Sequence, residues 1–451
     1  MTTPPALRPD AGVRYQRAMP DPAAAPTTLY LISDLHIGGD GALGRCEFER
    51  ELVDFLADVA RGPANAELII VGDAFGLWEL TEHEGESKLA GIAANHPDLF
   101  AQLRATGERV RITLLPGNHD YELACVPAYA AELAAWNVVL EPRESVTRRI
   151  AGRTVWIEHG NQHDAFNAFP DFGNRYAQPL GYFITSGIVA AAGRGADRTK
   201  SKWLEDVESV QPNQDLPFWV ISNHFYKDMA PWLRWALLPF LLLFTVSAGI
   251  FALRGVEKIL GVQTGLFDVD LRPVLGFPGR LLDLVQFVNS AVIATLLILA
   301  IPGWFLVRDV REALSRYGLL RDDVLHRDKD GVYVAAAQKV FANDPSVAVF
   351  VYGHTHTPSL RDLGGRLVIN TGTWLKRLEY VPVRLGRLPG IWVPSYRLNW
   401  FTIDEDAGAL RVRYAAIDKT PPRDLTWLER LLIVGRRPAE IAAIPAETRL
   451  T

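Results

Sequence analysis

The chain has 451 residues, about half of them hydrophobic and a tenth aromatic, which suffices for one large core or two ordinary ones and argues against a disordered protein. Its net charge is -5 with acids and bases interspersed, so no basic stripe marks a nucleic-acid surface, although a nucleotide substrate stays open. The two cysteines, Cys46 and Cys125, sit in no CxxC pair, so reduced, structural thiols are expected rather than a disulfide framework or a thiolate metal site.

In chain order, residues 1–26 are rich in Pro and Ala, lack the basic-then-apolar run of a secretory signal, and read as a flexible arm. Short apolar runs at 29–32, 68–71, 110–115, 154–157, 347–352 and 367–369 predict buried strands. Between them, 47–60 and 128–136 repeat apolar residues three or four apart, the signature of amphipathic helices. That order predicts a layered α/β domain in two parts, 27–200 and 326–420, separated by an insertion over 201–325.

Within the insertion, 235–253 and 284–307 carry no charged residue, and as helices each would extend about 28 Å or more. Trp232, Trp235, Trp304 and Phe305 lie near the ends of these runs, with Lys227, Arg234, Arg254, Lys258, Arg308 and Arg311 beyond them. This is the pattern of a transmembrane hairpin with interfacial aromatics. Two other readings remain open: a re-entrant pair in one leaflet, and two buried helices of a soluble insertion, for which Pro239, Gly249, Asn289, Ser290 and Pro302 speak. Past the insertion, a terminal strand pair is expected near 397–402 and 410–415. The tail, 421–451, contains a short amphipathic helix at 426–434 followed by Arg436 and Arg437, read as a surface helix first and a lipid-facing one second.

Five of the predicted strands run into polar turns whose first residues are metal-ligand types. These turns carry Asp34 and His36; Asp73; Asn118, His119 and Asp120; His159; and His354 and His356. In open α/β sheets ligands collect beyond the carboxyl ends of the strands, so the five segments can converge. Carboxylate, amide and imidazole donors suit manganese, iron or zinc, and two such ions would clamp the oxygens of a phosphoryl transfer. Half of the ten histidines fall in these turns; His83, His96 and His326 do not, and are expected to be structural.

Asp34-Leu35-His36, Gly72-Asp73, Gly117-Asn118-His119-Asp120, His159 and Gly353-His354-Thr355-His356 together resemble, in order, the signature of the calcineurin-like metallophosphoesterase superfamily. The resemblance covers about 28–160 and 345–375. It implies a sandwich of two central mixed β-sheets flanked by helices, here interrupted by the hydrophobic hairpin. It also implies two divalent ions, most simply Mn2+ with Fe or Zn as alternatives. Asp34, His36 and His356 would hold one ion, Asn118, His159 and His354 the other, and Asp73 would bridge them. The implied reaction is in-line attack on phosphorus by a metal-bound hydroxide, with His119 stabilising or protonating the leaving oxygen and Asp120 orienting His119.

The stretch from Gly72 to Trp78 further resembles the G-D-x-F-x-x-W pattern of UDP-diacylglucosamine pyrophosphohydrolases. The chain departs from those enzymes at His159-Gly160-Asn161, where they carry H-G-D. Phe75 and Trp78 read as packing residues or cleft lining, and His163 and Asp164 as supports of the ligands, substrate contacts or turn caps. His159 precedes both apolar runs and His354 follows them, so the insertion has to return to the side it left. The expectation is a membrane-associated phosphoesterase with its catalytic domain on the cytoplasmic side and no nucleic-acid partner. Its substrate would be a phosphorylated small molecule or lipid. The alternatives are a soluble nucleotide phosphodiesterase and an inactive, membrane-anchored binding protein.

Overall fold

The computed structural model describes residues 26–450 apart from 64, 86, 191–193, 195–208, 211–214, 263–275, 317–329, 384–387, 422–424 and 439–441. The arm at 1–25 and His326 therefore lie outside the described residues. Strand β1 (Thr28–Ile32) is TLYLI and β2 (Ala66–Val71) is AELIIV, each apolar almost throughout because both of its faces are covered. Leu29, Leu31, Ile69 and Val71 point one way into an inter-sheet core. Ile32, Leu68 and Ile70 point the other way, onto the helices Glu49–Ala60 and Pro97–Gly107 through Leu52, Phe55, Leu99 and Phe100. The period of two thus divides a continuous apolar run between two cores.

β3 (Arg111–Leu115) and β4 (Val138–Leu140) continue a parallel run beside β2. The second sheet begins with β5 (Ser145–Ile150) and β6 (Arg153–Glu158) and is completed by β7 (Val347–Tyr352), β8 (Ser359–Asp362) and β9 (Leu367–Asn370) in the order β5-β6-β7-β9-β8. A ribbon of β10 (Arg377–Val381) and β11 (Ile391–Ser395) follows. The chain then returns to the first sheet as β12 (Leu398–Asp406), β13 (Ala409–Ile417) and β14 (Glu447–Leu450), giving β14-β13-β12-β1-β2-β3-β4. β12 runs antiparallel to β1 while β2 runs parallel to it, so the sheet is mixed, as is the second one.

The two sheets face each other through Leu29, Leu31 and Ile69 on one side and Val155, Ile157, Val349 and Val351 on the other. The outer face of the second sheet, with Phe350, Tyr352 and Val368, is covered by helix Gly331–Asn343 through Tyr333, Ala337 and Phe341. The layers are therefore helix, sheet, sheet, helix, as expected. The expected terminal strand pair is β12 and β13.

β6 pairs in parallel with β7, with Val155 opposite Val349, so the chain does return after the insertion to the side it left. The insertion leaves through helix Leu216–Asn223, whose Ser222 Oγ donates to Gly390 O at 2.6 Å beside β11. Two long helices follow, Pro231–Leu260 and Phe277–Arg316, which contain the two uncharged runs. They touch through Asn289 Nδ2, which donates to Ser247 Oγ at 3.2 Å, both residues being buried. The 14 residues from Ser247 to Leu260 nearly equal the 13 from Phe277 to Asn289, as the arms of a hairpin require. Among the described residues one stretch, Phe287–Leu306, is long and apolar enough to cross a membrane.

Candidate metal centre

The parallel run β1-β2-β3 and the parallel pair β6-β7 release their polar turns at one edge of the sandwich. The first two turns are joined by backbone bonds: Asp34 N donates to Gly72 O at 3.1 Å, and Leu35 N and His36 N to Asp73 O at 2.8 and 2.9 Å. Gly353 N donates to His159 O at 2.9 Å, tying the turn after β7 to the turn after β6. Asp34, His36, Asp73, His354 and His356 all have left-handed backbone, with φ between 44° and 69°. Such a conformation costs a residue with a Cβ free energy and is kept where packing over-determines it, as at functional sites. Gly117 matters for what it lacks. A Cβ there would collide with the Asp73 carboxylate, so the turn bearing Asn118 closes on Asp73 only as glycine.

The expected ligand residues meet. His356 Nε2 lies 3.2 Å from Asp34 Oδ1 and 3.3 Å from His36 Nε2. Asp73 Oδ2 lies 3.7 Å from His36 Nε2 and 3.1 Å from His159 Nε2, which is itself 3.2 Å from Asn118 Oδ1. Donor atoms within 4.8 Å of one another group Asp34, His36 and His356 on one side and Asp73, His159 and His354 on the other. A third trio, His36, Asp73 and His119, lies between them.

Two tautomers are fixed from outside. His159 Nδ1 donates to Val71 O at 2.8 Å, which turns its Nε2 toward Asp73 and Asn118. His354 Nε2 donates to Asp164 Oδ2 at 3.0 Å, which leaves Nδ1 with the lone pair. Asp164 also accepts from Phe166 N at 2.9 Å and Asn167 Nδ2 at 2.7 Å, so it both caps a turn and supports a ligand residue. His163 turns away, onto Glu158 Oε1 at 2.6 Å.

The site is short of positive charge. Asp34, Asp73 and Asp120 are all buried, and Asp34 Oδ1 makes no hydrogen bond. Burial works against charging His159, yet the Asp73 carboxylate pushes its pKa up to about 10. Burial also opposes ionisation of Asp73, but His159 and His119 hold its carboxyl well below the usual range. A proton is thus drawn to the place where a cation fits: buried oxygens with an unpartnered carboxylate atom and inward-facing imidazole nitrogens suit divalent ions.

Asp120 does not hold the position expected of it. Its Oδ1 accepts from Gly117 N at 2.6 Å and its Oδ2 from Ala74 N at 2.8 Å and Phe75 N at 3.3 Å, so it clamps two turns together instead of orienting His119. The carboxylate on the His119 ring is Glu79, whose Oε1 accepts from His119 Nδ1 at 2.5 Å. Burial and then the Asp73 charge push the Asp120 carboxyl up to about 7. His119 is fixed further by its N–H, which donates to Asp73 Oδ1 at 2.7 Å, and by the Trp78 ring 4.7 Å away. Phe75 stacks on Phe100 in the core.

Sequence reading also missed the residues after β9. Thr373 Oγ1 donates to Asp34 O at 2.7 Å, and Thr371 Oγ1 donates at 2.6 Å to Ser33, whose hydroxyl reaches Asp34 Oδ2. The run of small polar residues from Asn370 to Thr373 was the available signal. For Glu79 it was an acid set within the apolar stretch Phe75 to Leu80. His96, buried against Glu49 and Gly44 O, is structural as expected.

Comparison with known proteins agrees with this geometry. No curated protein matches the chain. Among solved structures, Vps29 of Entamoeba histolytica complexed with zinc is 9% identical over 87% of this chain and 98% of its own, with a TM-score of 0.27. A dimetal phosphatase from Danio rerio is 10% identical over 88% of this chain and 100% of its own, with a TM-score of 0.30. Likeness at those scores carries no weight for the site. The calcineurin-like phosphoesterase model, however, matches residues 27–229, the stretch that holds five of the seven expected ligands. Over that stretch, a little under half of the chain, the sequence matches the calcineurin-like phosphoesterase family, which supports a metal-dependent phosphoester hydrolase.

Proposed function

We propose that the chain hydrolyses a phosphate ester or pyrophosphate bond of a lipid-linked substrate at a centre for two divalent ions, manganese by preference. Asp34, His36 and His356 would hold one ion, Asn118, His159 and His354 the other, with Asp73 shared. The observation that carries this reading is the placement of Asp73 Oδ2 between His36 and His159, while the backbone donor His119 N binds the other oxygen, Oδ1. When bound, such ions neutralise phosphate charge and make water acidic enough to attack phosphorus near neutral pH.

The chain's own groups do the rest. His119, held at Nδ1 by Glu79, presents Nε2 to the leaving oxygen and supplies its proton. Glu79 stabilises the charged ring in the orientation from which that proton leaves, as a buried carboxylate does for a catalytic imidazole. Trp78 and Asp120 keep the ring and its turn from shifting.

Support for a lipid substrate comes from the second long helix. Its stretch Phe287–Leu306 is about 30 Å long and presents Leu296, Leu297, Ile298 and Leu299 outward, an apolar surface that water penalises and a bilayer does not. The test is a substrate screen with manganese-loaded protein in detergent, covering phospholipids, lipid-linked pyrophosphates and soluble phosphodiesters. Preferential turnover of a lipid phosphate is expected. Efficient cleavage of soluble nucleotides with every lipid ignored would replace this reading by that of a nucleotide phosphodiesterase.

A further inference from the structure

Resting on the membrane reading above, we infer that helix Trp427–Leu432 and the first turn of the long helix Pro231–Leu260 form one collar that docks on the headgroup layer of an anionic bilayer. The short helix is firmly built: Thr426 Oγ1 accepts from Glu429 N at 3.3 Å while Glu429 Oε2 accepts from Thr426 N at 2.6 Å. One face is committed to the protein, with Leu428 buried in one apolar cluster with Phe225 and Tyr226, against which Leu432 and Met229 also pack. That contact is the root of the hairpin, because Arg234 Nη2 donates to Tyr226 O at 2.9 Å and to Met229 O at 3.0 Å.

The other face points outward. Trp427 is 67% exposed, Leu431 and Val434 are exposed beside it, and Trp232 at the start of the long helix is 73% exposed. From Arg430 to Arg437 the chain carries three arginines and no acid, and 434–437 are exposed throughout. An outward Trp with an apolar body and a polar N–H suits the headgroup region, and arginines beside it complement anionic lipid. A protein partner would also need an acidic, apolar groove; the lipid surface is favoured because the patch continues directly into the apolar hairpin.

The full-length wild type in nanodiscs of phosphatidylcholine containing phosphatidylserine tests this with two photoactivatable phospholipids, one reactive at the headgroup boundary and one at the tail end. Peptide mapping by mass spectrometry should place headgroup-level labelling on 427–434 and 230–233, and tail-end labelling on 287–301. In Arg436→Gln/Arg437→Gln, labelling of 427–434 should fall by roughly fivefold per lost charge, with 287–301 and phosphoesterase turnover unchanged. If 287–301 is labelled and 427–434 is not, the collar is wrong and the hairpin stands. If neither is labelled, the membrane reading falls and the collar with it, while hydrolysis remains a separate observation.

Discussion

Glu79 is nine-tenths hidden by its neighbours or more and spends its Oε1 on the His119 ring, so its deletion removes a charge partner without touching a ligand of the expected ions. Glu79→Gln should lower kcat by about a hundredfold, the lower end of what acid–base assistance is worth, with KM and metal content little changed. His119→Ala should do the same, and the double variant should lose little more than either single one, since the pair acts as a unit. Steady-state kinetics with metal analysis on the three variants checks this; additive losses would mean that Glu79 acts elsewhere.

A second prediction at this scale concerns acid. Buried Asp40 accepts from Thr81 Oγ1 at 2.5 Å, Glu82 N at 3.1 Å, Thr81 N at 3.0 Å and Arg194 Nη1 at 2.5 Å. Burial opposes its ionisation, but these donors hold its carboxyl below the ordinary value. A depressed folded pKa contributes stability that is complete above the unfolded value, about 3.9, and is lost as pH falls through the folded value. Asp40→Ala should therefore cost about 1.5 to 3 kcal/mol at pH 7, a gap that closes below about pH 4 in denaturant unfolding.

At the scale of elements, the hairpin decides between bilayer and water. Leu297 sits at the middle of the apolar stretch Phe287–Leu306 and faces outward. Leu297→Arg should disfavour insertion by about 2.5 to 3.5 kcal/mol and shift the chain out of the carbonate-resistant membrane fraction. On a helix exposed to water the same change would be nearly silent, within about 0.5 kcal/mol, and the fractionation pattern would not move. The buried Asn289–Ser247 pair has a different function, fixing how the two helices are staggered at the cost of leaving Asn289 Oδ1 without a partner.

Across the whole molecule, what could be read in advance follows the physics of each signal. Strands buried on both faces, such as β2 and β7, stand out because nearly every residue is apolar, and the motif turns stand out because ligand-type residues collect at their ends. β5 (SVTRRI) and β14 (ETRL) are edge strands, half polar, and resemble loops until their partners are known. Adjacency in sequence misled at Asp120, whose carboxylate points away from the neighbouring His119 ring, while Glu79, 40 residues earlier, reaches it. Just before the hairpin, Trp219 and Tyr226 are buried while Phe218 and Ile221 face outward, a division between core and surface that an aromatic-rich sequence does not reveal by itself.

The proposed metal centre unites these scales, since Asp73 lies between both halves of the expected ligand set and the two sheets, built from strands on either side of the insertion, bring those halves together. Metal analysis of the purified, folded chain, in parallel with Asp73→Ala, tests this most directly. The wild type should hold about two divalent ions per chain and hydrolyse a phosphoester, and Asp73→Ala should lose both ions and at least a thousandfold, about 4 kcal/mol, of turnover. A well-folded wild type that binds no divalent ion, or an Asp73→Ala variant that keeps its full metal content and rate, would contradict it.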